Sequence, residues 1–301
     1  MSWYSGFADP IECDVPLGPL TWFRLGGRAR YIFRPRDAGE LARLATRARH
    51  EGISVRVLGA GANVLISDDG FDGVVVRLDQ PAFAKVERRG TAVDVGAGVS
   101  LMPLSQECSA KGLSGLEGLA GIPATMGGAV RMNAGGRFAE IGRVVSSVDL
   151  LRPDGIPETW GHDRIGFRYR QTGLSDEIVL SVRLELIDDD PTSVKRHFDD
   201  CLEYKRRSQP LTERTAGCIF KNPPGESAGS LIDRAGLKDR RVGGARVSTR
   251  HANFIVADRE ASASDVLKLI DIVRERVLEL YDTQLELEIE IWRPGRARCG
   301  T

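Results

Sequence analysis

The stretch GIPATMGGAVRMNAGG, residues 121–136, decides the fold class of this chain, because five of its sixteen residues are glycine. Glycine lets a backbone turn sharply, approach a ligand closely and offer N–H groups that no side chain covers. A set of ordinary turns is the alternative, and it would suit an isolated Gly-Gly pair. Over the whole block, the glycine density favours a backbone cradle for a ligand.

A second Gly-rich segment, LGAGAN at residues 58–63, lies upstream. It follows residues 53–57, in which apolar and polar residues alternate as in a strand, so its backbone amides could hold a pyrophosphate. The apolar residues 64–66 and the turn at 68–70 follow it in place of a helix, which argues against a Rossmann site. A plain turn at 58–63 stays open as the alternative.

The composition limits the partners of the protein. Its 301 residues include 42 Lys and Arg and 42 Asp and Glu, so no net charge attracts nucleic acid or an anionic membrane. There is no run of about 18 apolar residues and no secretory signal, from which we expect a cytoplasmic protein without a membrane partner. The five cysteines and four histidines are scattered without ligand spacing, so neither a disulfide framework nor a metal site is predicted.

The length of the chain predicts two or three domains, its pattern is that of an α+β protein, and we divide it into three lobes. A first lobe at 1–80 is followed by a second at 81–207, and the Gln209-Pro210 pair then ends a helix. We assign residues 208–284 to a third lobe. The closing segment, 285–293, alternates apolar and acidic residues as a strand does, and we assign it to the second lobe.

Two helix starts can be predicted from the sequence. Asp37 with Glu40 three residues later resembles a capping box, and the apolar residues after it share one helical face: Leu41, Leu44, Ala45 and Ala48. Ser264 is predicted to cap the long helix near the C-terminus.

The motif TAGCIFKNP, residues 215–223, places a thiol beside a lysine and an amide. These groups suit the transfer of one proton and the binding of an anion. A thiol is a much stronger acid than an alkyl hydroxyl, so Cys218 is a candidate proton donor. The alternative is that Cys218 is a small buried apolar residue, as most lone cysteines are.

The motif FRYR, residues 167–170, supplies two candidate anion-binding arginines. Strand alternation predicts Arg168 and Arg170 on one face, and the planar guanidinium group of either one suits bidentate binding of a carboxylate. A solvated strand face is the alternative. The same alternative applies to Glu288, because Glu286, Glu288 and Glu290 share one side of the closing strand.

Taken in order, these motifs closely resemble those of the UDP-N-acetylenolpyruvoylglucosamine reductases, over residues 19–292. The resemblance implies a two-lobed FAD-binding fold of the vanillyl-alcohol-oxidase (PCMH) type and a C-terminal α+β substrate domain. It also implies non-covalent FAD, NADPH as co-substrate and a UDP-sugar substrate. In this reaction reduced FAD converts the enolpyruvyl ether of UDP-N-acetylglucosamine to the lactyl ether, giving UDP-N-acetylmuramate for peptidoglycan synthesis.

The resemblance also implies roles for individual residues. It makes Cys218 the proton donor, and it assigns stabilisation of the enediolate-like anion to Arg170, in preference to Arg168, and to Glu288. Substrate contacts are implied for Tyr169, Lys221 and Asn222. Cofactor contacts are implied for Gly59, Ala60, Gly61, Ala62, Asn63, Gly121, Ile122, Pro123, Thr125, Gly127, Gly128, Ala129, Asn133, Ala134 and Gly135.

Two other functions compete with this interpretation. An alcohol or aldose oxidase of the same fold often tethers its flavin through His or Cys, but no His lies in residues 58–63 or 121–136. A flavin or UDP-sugar binder without turnover would have lost Cys218, Arg170 or Glu288, and all three are present. Some family members carry an extra loop whose Tyr closes over the substrate, and the spacer between Gly136 and Tyr169 is too short for it.

Overall fold

The computed structural model describes residues 3–7 and 11–294, and strands and helices are mixed along them as an α+β chain requires. The strands are β1 (Glu12–Pro16), β2 (Arg28–Phe33), β3 (Ser54–Val57), β4 (Val64–Ile66), β5 (Phe71–Val76), β6 (Val86–Arg89), β7 (Ala92–Gly96), β8 (Leu113–Ser114), β9 (Val145–Leu151), β10 (Pro157–Gly161), β11 (Ile178–Glu185), β12 (Ile187–Asp188), β13 (Arg241–Val242), β14 (Ala245–Val247), β15 (Ile255–Ala257) and β16 (Glu290–Trp292). The helices are α1 (Ala38–His50), α2 (Leu101–Ala110), α3 (Met126–Arg131), α4 (His162–Ile165), α5 (Pro191–Ser208), α6 (Ala228–Arg234) and α7 (Ala263–Tyr281). Among the described residues, none of these helices is long and apolar enough to cross a membrane.

The chain divides into two compact units, each assembled from separate segments. Of the described residues, the first unit contains 3–7, 11–13, 31–60 and 73–204. The second contains 14–30, 61–72 and 205–294. The three-lobed division at 1–80, 81–207 and 208–284 stays a prediction.

A five-stranded antiparallel sheet, in the order β10-β9-β11-β7-β6, organises the first unit. Val182 on the central strand lies opposite Val95 on one side and Val148 on the other, and all three side chains are buried. β-Branched residues pack well on such a pleated, covered face. This row of valines belongs to the main apolar core of the unit.

Helix α1 begins where the sequence predicts. The Asp37 carboxylate accepts a hydrogen bond from the Glu40 N–H at 2.7 Å, and the Glu40 carboxylate accepts one from the Arg36 N–H at 2.8 Å. The first bond is the N-cap bond of a capping box, but the Glu40 carboxylate bonds the N–H of Arg36 in place of that of the N-cap residue Asp37, so the box is only half formed. The predicted apolar face is confirmed, since its members are all buried: Leu41, Leu44, Ala45 and Ala48.

Helix α7 of the second unit begins two residues earlier than predicted. Ser262, not Ser264, is the N-cap, because the Ser262 hydroxyl accepts from the Asp265 N–H and the Asp265 carboxylate accepts from the Ser262 N–H. Ser264 instead donates its hydroxyl to Asp68 at 2.7 Å, and the Asp68 carboxylate also accepts from the Ala263 and Ser264 N–H groups. Burial works against the charged form of Asp68, but these hydrogen bonds outweigh it and lower the pKa of that carboxyl. Through Asp68, the first residues of α7 are thus hydrogen-bonded to the segment 61–72.

The closing segment pairs with a strand outside the lobe to which we assigned it. Only its last residues form a strand, β16, and this strand runs parallel to β4 with Ile291 opposite Leu65. Strand β4 lies within 1–80, so the closing strand does not join the 81–207 lobe to which we assigned it. An alternating apolar pattern specifies that a segment is a strand, but it does not specify which free edge the segment joins.

Candidate active site

The glycine block contains a short helix that the sequence did not predict. Thr125 caps α3, since its hydroxyl accepts a hydrogen bond from the Gly128 N–H. A Cβ on Gly127 would lie 3.0 Å from the Cβ of Ala97, closer than nearly all such contacts. Glycine at this position therefore lets α3 pack against the strand end at Ala97.

The first part of the 58–63 loop lies against this helix within the first unit. A Cβ on Gly59 would lie 2.4 Å from the Thr125 hydroxyl, so only glycine fits there. Arg77 donates to the Gly59 carbonyl oxygen at 2.7 Å and holds the loop. No described residue accepts a hydrogen bond from the N–H of Gly59 or Ala60. Two amides next to the N-cap of a helix are thus free to bind an anionic group.

The rest of the loop belongs to the second unit. Gly61 has φ +68°, and a Cβ there would lie 2.3 Å from the Leu20 carbonyl oxygen. Its own carbonyl oxygen accepts from the Trp22 N–H at 2.9 Å. The N–H groups of Gly61, Ala62 and Asn63 donate to no residue that the structure describes. These amides offer the same chemistry as those of Gly59 and Ala60.

The FRYR motif forms a tight turn, so the predicted strand at 167–170 is wrong. Arg168 and Gln171 exchange backbone hydrogen bonds at 2.9 and 3.2 Å, which places Tyr169 and Arg170 at the tip. Arg170 has φ +54°, a left-handed value that extended backbone does not adopt. A two-residue turn often needs such a value, and this backbone requirement overrides the alternation of the side chains.

The turn separates the two arginines. Arg168 is exposed, whereas the Arg170 side chain is only 11% exposed. The Arg170 guanidinium lies 3.5 Å from the Glu140 carboxylate and 5.0 Å from the centre of the Tyr169 ring. The Glu140 carboxylate and the Tyr169 ring thus surround the Arg170 guanidinium, as expected of a residue that binds a specific anion.

Asn133 is more deeply buried than a typical cofactor contact. It is 2% exposed with φ +43°, and its amide nitrogen donates to the Arg168 carbonyl oxygen at 2.9 Å. Its amide oxygen accepts from the Gly142 N–H at 3.0 Å. Both ends of the amide are bonded within the protein, so this side chain fixes the 168–171 turn. A contact between Asn133 and FAD stays a prediction.

Cys218 lies on a short extended segment in the second unit. Asn253 holds this segment: its amide accepts from the Phe220 N–H at 2.9 Å and donates to the Phe220 carbonyl oxygen at 2.8 Å. Cys218 pairs with Phe254 as an isolated bridge and is half-buried, so it is neither a core residue nor fully solvated. The sequence interpretation missed Asn253, although a lone amide inside the apolar run 252–257 was a signal for it.

Glu288 lies on the chain segment next to Cys218. The Glu288 N–H donates to the Ile219 carbonyl oxygen at 2.8 Å, and the Asn63 amide donates to the Glu288 carbonyl oxygen at 3.1 Å. Phe220 and Leu287 form a further bridge between the two segments. The structure thus brings the predicted proton donor and the predicted glutamate onto paired segments of one unit.

The three acidic residues of the closing segment do not share one environment. The Glu286 side chain is 75% exposed and forms an ion pair with Lys221 at 3.5 Å, whereas Glu288 is half-buried. The interpretation of all three glutamates as a single solvated edge is therefore wrong.

Asn222, a predicted substrate contact, accepts a hydrogen bond from the Ala228 N–H at 3.0 Å, at the start of α6.

Comparison with known proteins identifies the family. Residues 209–292 match the family described as "UDP-N-acetylenolpyruvoylglucosamine reductase, C-terminal domain", and residues 29–159 match the family described as "FAD binding domain". The UDP-N-acetylenolpyruvoylglucosamine reductase of Moorella thermoacetica is 43% identical over 292 residues, which cover 97% of this chain and 96% of that protein. The chain belongs to the UDP-N-acetylenolpyruvoylglucosamine reductase family.

Two further members of this reductase family are similar to the chain over most of its length. UDP-N-acetylenolpyruvoylglucosamine reductase 2 of Symbiobacterium thermophilum is 42% identical over 94% of this chain and 92% of its own length. The crystal structure of the reductase from Thermus caldophilus superposes with a TM-score of 0.83 at 41% identity, covering 94% of this chain and 99% of that chain.

Membership of the reductase family confirms several expectations drawn from the sequence. The α+β fold with an FAD-binding domain is confirmed, and so is the enzyme class, an FAD-dependent oxidoreductase of peptidoglycan synthesis. The roles of individual residues stay predictions, because the comparisons describe whole proteins and domains.

Proposed function

We propose that this chain reduces the enolpyruvyl ether of UDP-N-acetylglucosamine to the lactyl ether, with NADPH as the source of electrons. The observation that carries the proposal is the pairing of the Cys218 segment with the Glu288 segment in a chain of this family. The composition and the nature of both substrates favour the cytoplasm as the place of reaction.

The residues present fit bound FAD. A diphosphate needs several N–H donors at close range, and the 58–63 loop offers consecutive amides without a described acceptor. Glycines at 59 and 61 keep this backbone bare, since a Cβ at either position would collide with a neighbour. When bound, FAD would accept hydride from NADPH and supply hydride to the enolpyruvyl group. Hydrogen bonds from residues 59–63 and contacts along 121–135 would hold it.

The chain must then manage the charge that hydride addition creates. Hydride at the terminal CH₂ carbon turns the enolpyruvyl carboxylate into an enediolate-like anion, and a proton at the adjacent carbon completes the lactyl ether. Preorganised charge that faces a developing anion is the strongest single source of such stabilisation. We assign this task to Arg170, whose guanidinium is enclosed and presents more donors than one carboxylate uses.

Proton delivery is the second task, and we assign it to Cys218. The thiol lies on a segment that Asn253 fixes through two backbone hydrogen bonds, so its position is well defined. Glu288, on the paired segment, would polarise the enediolate or relay the proton. Lys221, Asn222 and Tyr169 would contact the sugar nucleotide, with Lys221 exchanging its exposed partner Glu286 for a phosphate.

A test of the activity uses the purified flavoprotein. NADPH should bleach the oxidised flavin spectrum, and the enolpyruvyl sugar nucleotide should restore it while the lactyl ether accumulates. UDP-N-acetylglucosamine, which lacks the enolpyruvyl group, is the matched control and should restore nothing. Failure of the enolpyruvyl compound to restore the spectrum or to be consumed would remove the proposed substrate.

A further inference from the structure

Arg170 requires a fixed direction, and its own backbone does not provide one. It lies at the tip of a two-residue turn. The arginine side chain has several rotatable bonds, so the turn alone does not fix where the guanidinium points. The Arg170 side chain is nevertheless only 11% exposed. An enclosed cation is retained when a partner charge fixes it, because burial without a partner is strongly unfavourable.

Glu140 is placed to be that partner. Its Oε1 lies 3.5 Å from Nη1 of Arg170, and the Glu140 side chain is 29% exposed. The Glu140 backbone pairs with Gly135, and a Cβ on Gly135 would lie 2.7 Å from Cγ of Glu140. Glycine at 135 therefore leaves room for the glutamate to reach toward Arg170.

One residue holds both the carboxylate and the turn. The Asn133 amide nitrogen lies 3.4 Å from Oε2 of Glu140 and 2.9 Å from the carbonyl oxygen of Arg168. The amide is itself fixed, since its oxygen accepts from the Gly142 N–H. Asn133 thus ties Glu140 to the turn that carries Arg170, so the ion pair and the turn form one connected unit.

We infer that Glu140 is a positioning residue for Arg170, an inference that rests on the proposed function. Its carboxylate contacts one edge of the guanidinium and thereby sets the direction in which that group meets the substrate carboxylate. A displacement of the guanidinium by about 1 Å would misplace its N–H donors, and a displacement of that size can slow a reaction by about 100-fold. Glu140 touches neither substrate nor cofactor in this scheme and acts through Arg170.

The first experiment compares Glu140→Gln with a matched control. Asp94→Asn also removes one carboxylate from an Arg–carboxylate pair of the same unit, that of Arg183 at 2.8 Å. In the flavin-bound proteins, Glu140→Gln should slow reoxidation of the reduced flavin by the enolpyruvyl sugar nucleotide by about 10- to 100-fold. Asp94→Asn should stay within about twofold of wild type, because its pair is exposed.

The second experiment separates positioning from simple structural support. In the Arg170→Ala background, Glu140→Gln should change the reoxidation rate by less than about twofold, because its target is gone. An equal loss in both backgrounds would show that Glu140 supports the fold and would overturn the inference. Flavin content and thermal unfolding of each variant are measured beside the rates, and the rates are expressed per bound flavin.

The two proposals fail in different ways. If the wild-type enzyme does not reoxidise with the enolpyruvyl compound, the proposed function fails and the inference falls with it. If the wild type turns over and Glu140→Gln turns over at the same rate, only the inference is overturned. Glu140→Asp keeps the charge but moves it back by one methylene, so it should react at an intermediate rate. If Glu140→Asp and Glu140→Gln both react at the wild-type rate, Glu140 does not position Arg170.

Discussion

The side-chain amide of Asn253 brackets the backbone of Phe220, accepting from its N–H at 2.9 Å and donating to its carbonyl oxygen at 2.8 Å. Both residues are buried, Asn253 to 2% exposure and Phe220 to 1%. A side chain here replaces a strand neighbour and satisfies two backbone groups that water does not reach. The segment that carries Cys218 owes its position to this contact.

Asn253→Ala should therefore destabilise the protein. The Phe220 N–H and carbonyl group would both stay buried without these partners, at about 1–3 kcal/mol each. We expect the free energy of unfolding in urea to fall by about 2–4 kcal/mol. Thr159→Ala, which removes an exposed hydrogen bond to Asp149, should change it by less than about 0.5 kcal/mol. If Asn253→Ala lowers the free energy of unfolding as little as the control does, these two hydrogen bonds do not stabilise the protein.

His251 should make stability depend on pH. Burial lowers the pKa of this imidazole below its usual 6.5, and Lys238 lowers it further. The unfolded chain therefore binds the proton first as the pH falls, so the stabilisation is complete above about pH 6.5 and is lost as the pH drops toward the folded pKa. In urea unfolding at several pH values, His251→Gln should flatten this part of the profile. A profile that stays the same in His251→Gln would contradict this assignment.

Gly61→Ala tests the loop that we assign to FAD. Gly61 and Gly225 both have positive φ, +68° and +79°, so alanine costs about 1–2 kcal/mol of backbone strain at either. Only at 61 does the new Cβ also meet a backbone atom, the Leu20 carbonyl oxygen at 2.3 Å; at 225 nothing lies within 4 Å. Gly61→Ala should lose bound flavin, measured as flavin per protein by absorbance, whereas Gly225→Ala should keep it. Full flavin content in both variants would refute the assigned role of the loop.

Cys218→Ala should separate the two halves of the reaction. NADPH should still reduce the flavin, but reoxidation by the enolpyruvyl compound should slow by about 100-fold or more, the usual contribution of a general acid. Cys218→Ser keeps an O–H donor and should retain more of the rate. Cys13→Ser, at an exposed cysteine, is the control and should behave as wild type. Stopped-flow absorbance measures both steps, and wild-type reoxidation by the alanine variant would exclude Cys218 as the donor.

The sequence predicted much of the local structure and part of the site. The N-cap at Asp37, the buried face of α1 and the strand after the 58–63 loop are confirmed. Such features depend on residues within one or two turns of each other, so propensity and period specify them. The resemblance to the reductase family likewise followed from short motifs and their order.

Other features needed the tertiary structure. Strand alternation gave the wrong backbone for Arg168 and Arg170, because the turn with φ +54° at Arg170 depends on Asn133, 35 residues from the carbonyl that it binds. The start of α7 was misplaced for a similar reason, since Ser264 is engaged by Asp68.

By itself, the sequence determined most of the strands, helices and bare glycine loops, though not α3 or the turn at 168–171, and it singled out Cys218, Arg170 and Glu288. Only the tertiary structure decided that β16 joins β4, that Asn253 fixes the Cys218 segment and that Glu140 faces Arg170. The physical reason is that a local pattern specifies what a segment can become. Its partner is chosen among distant segments by complementary hydrogen bonds and burial, which no window of sequence contains.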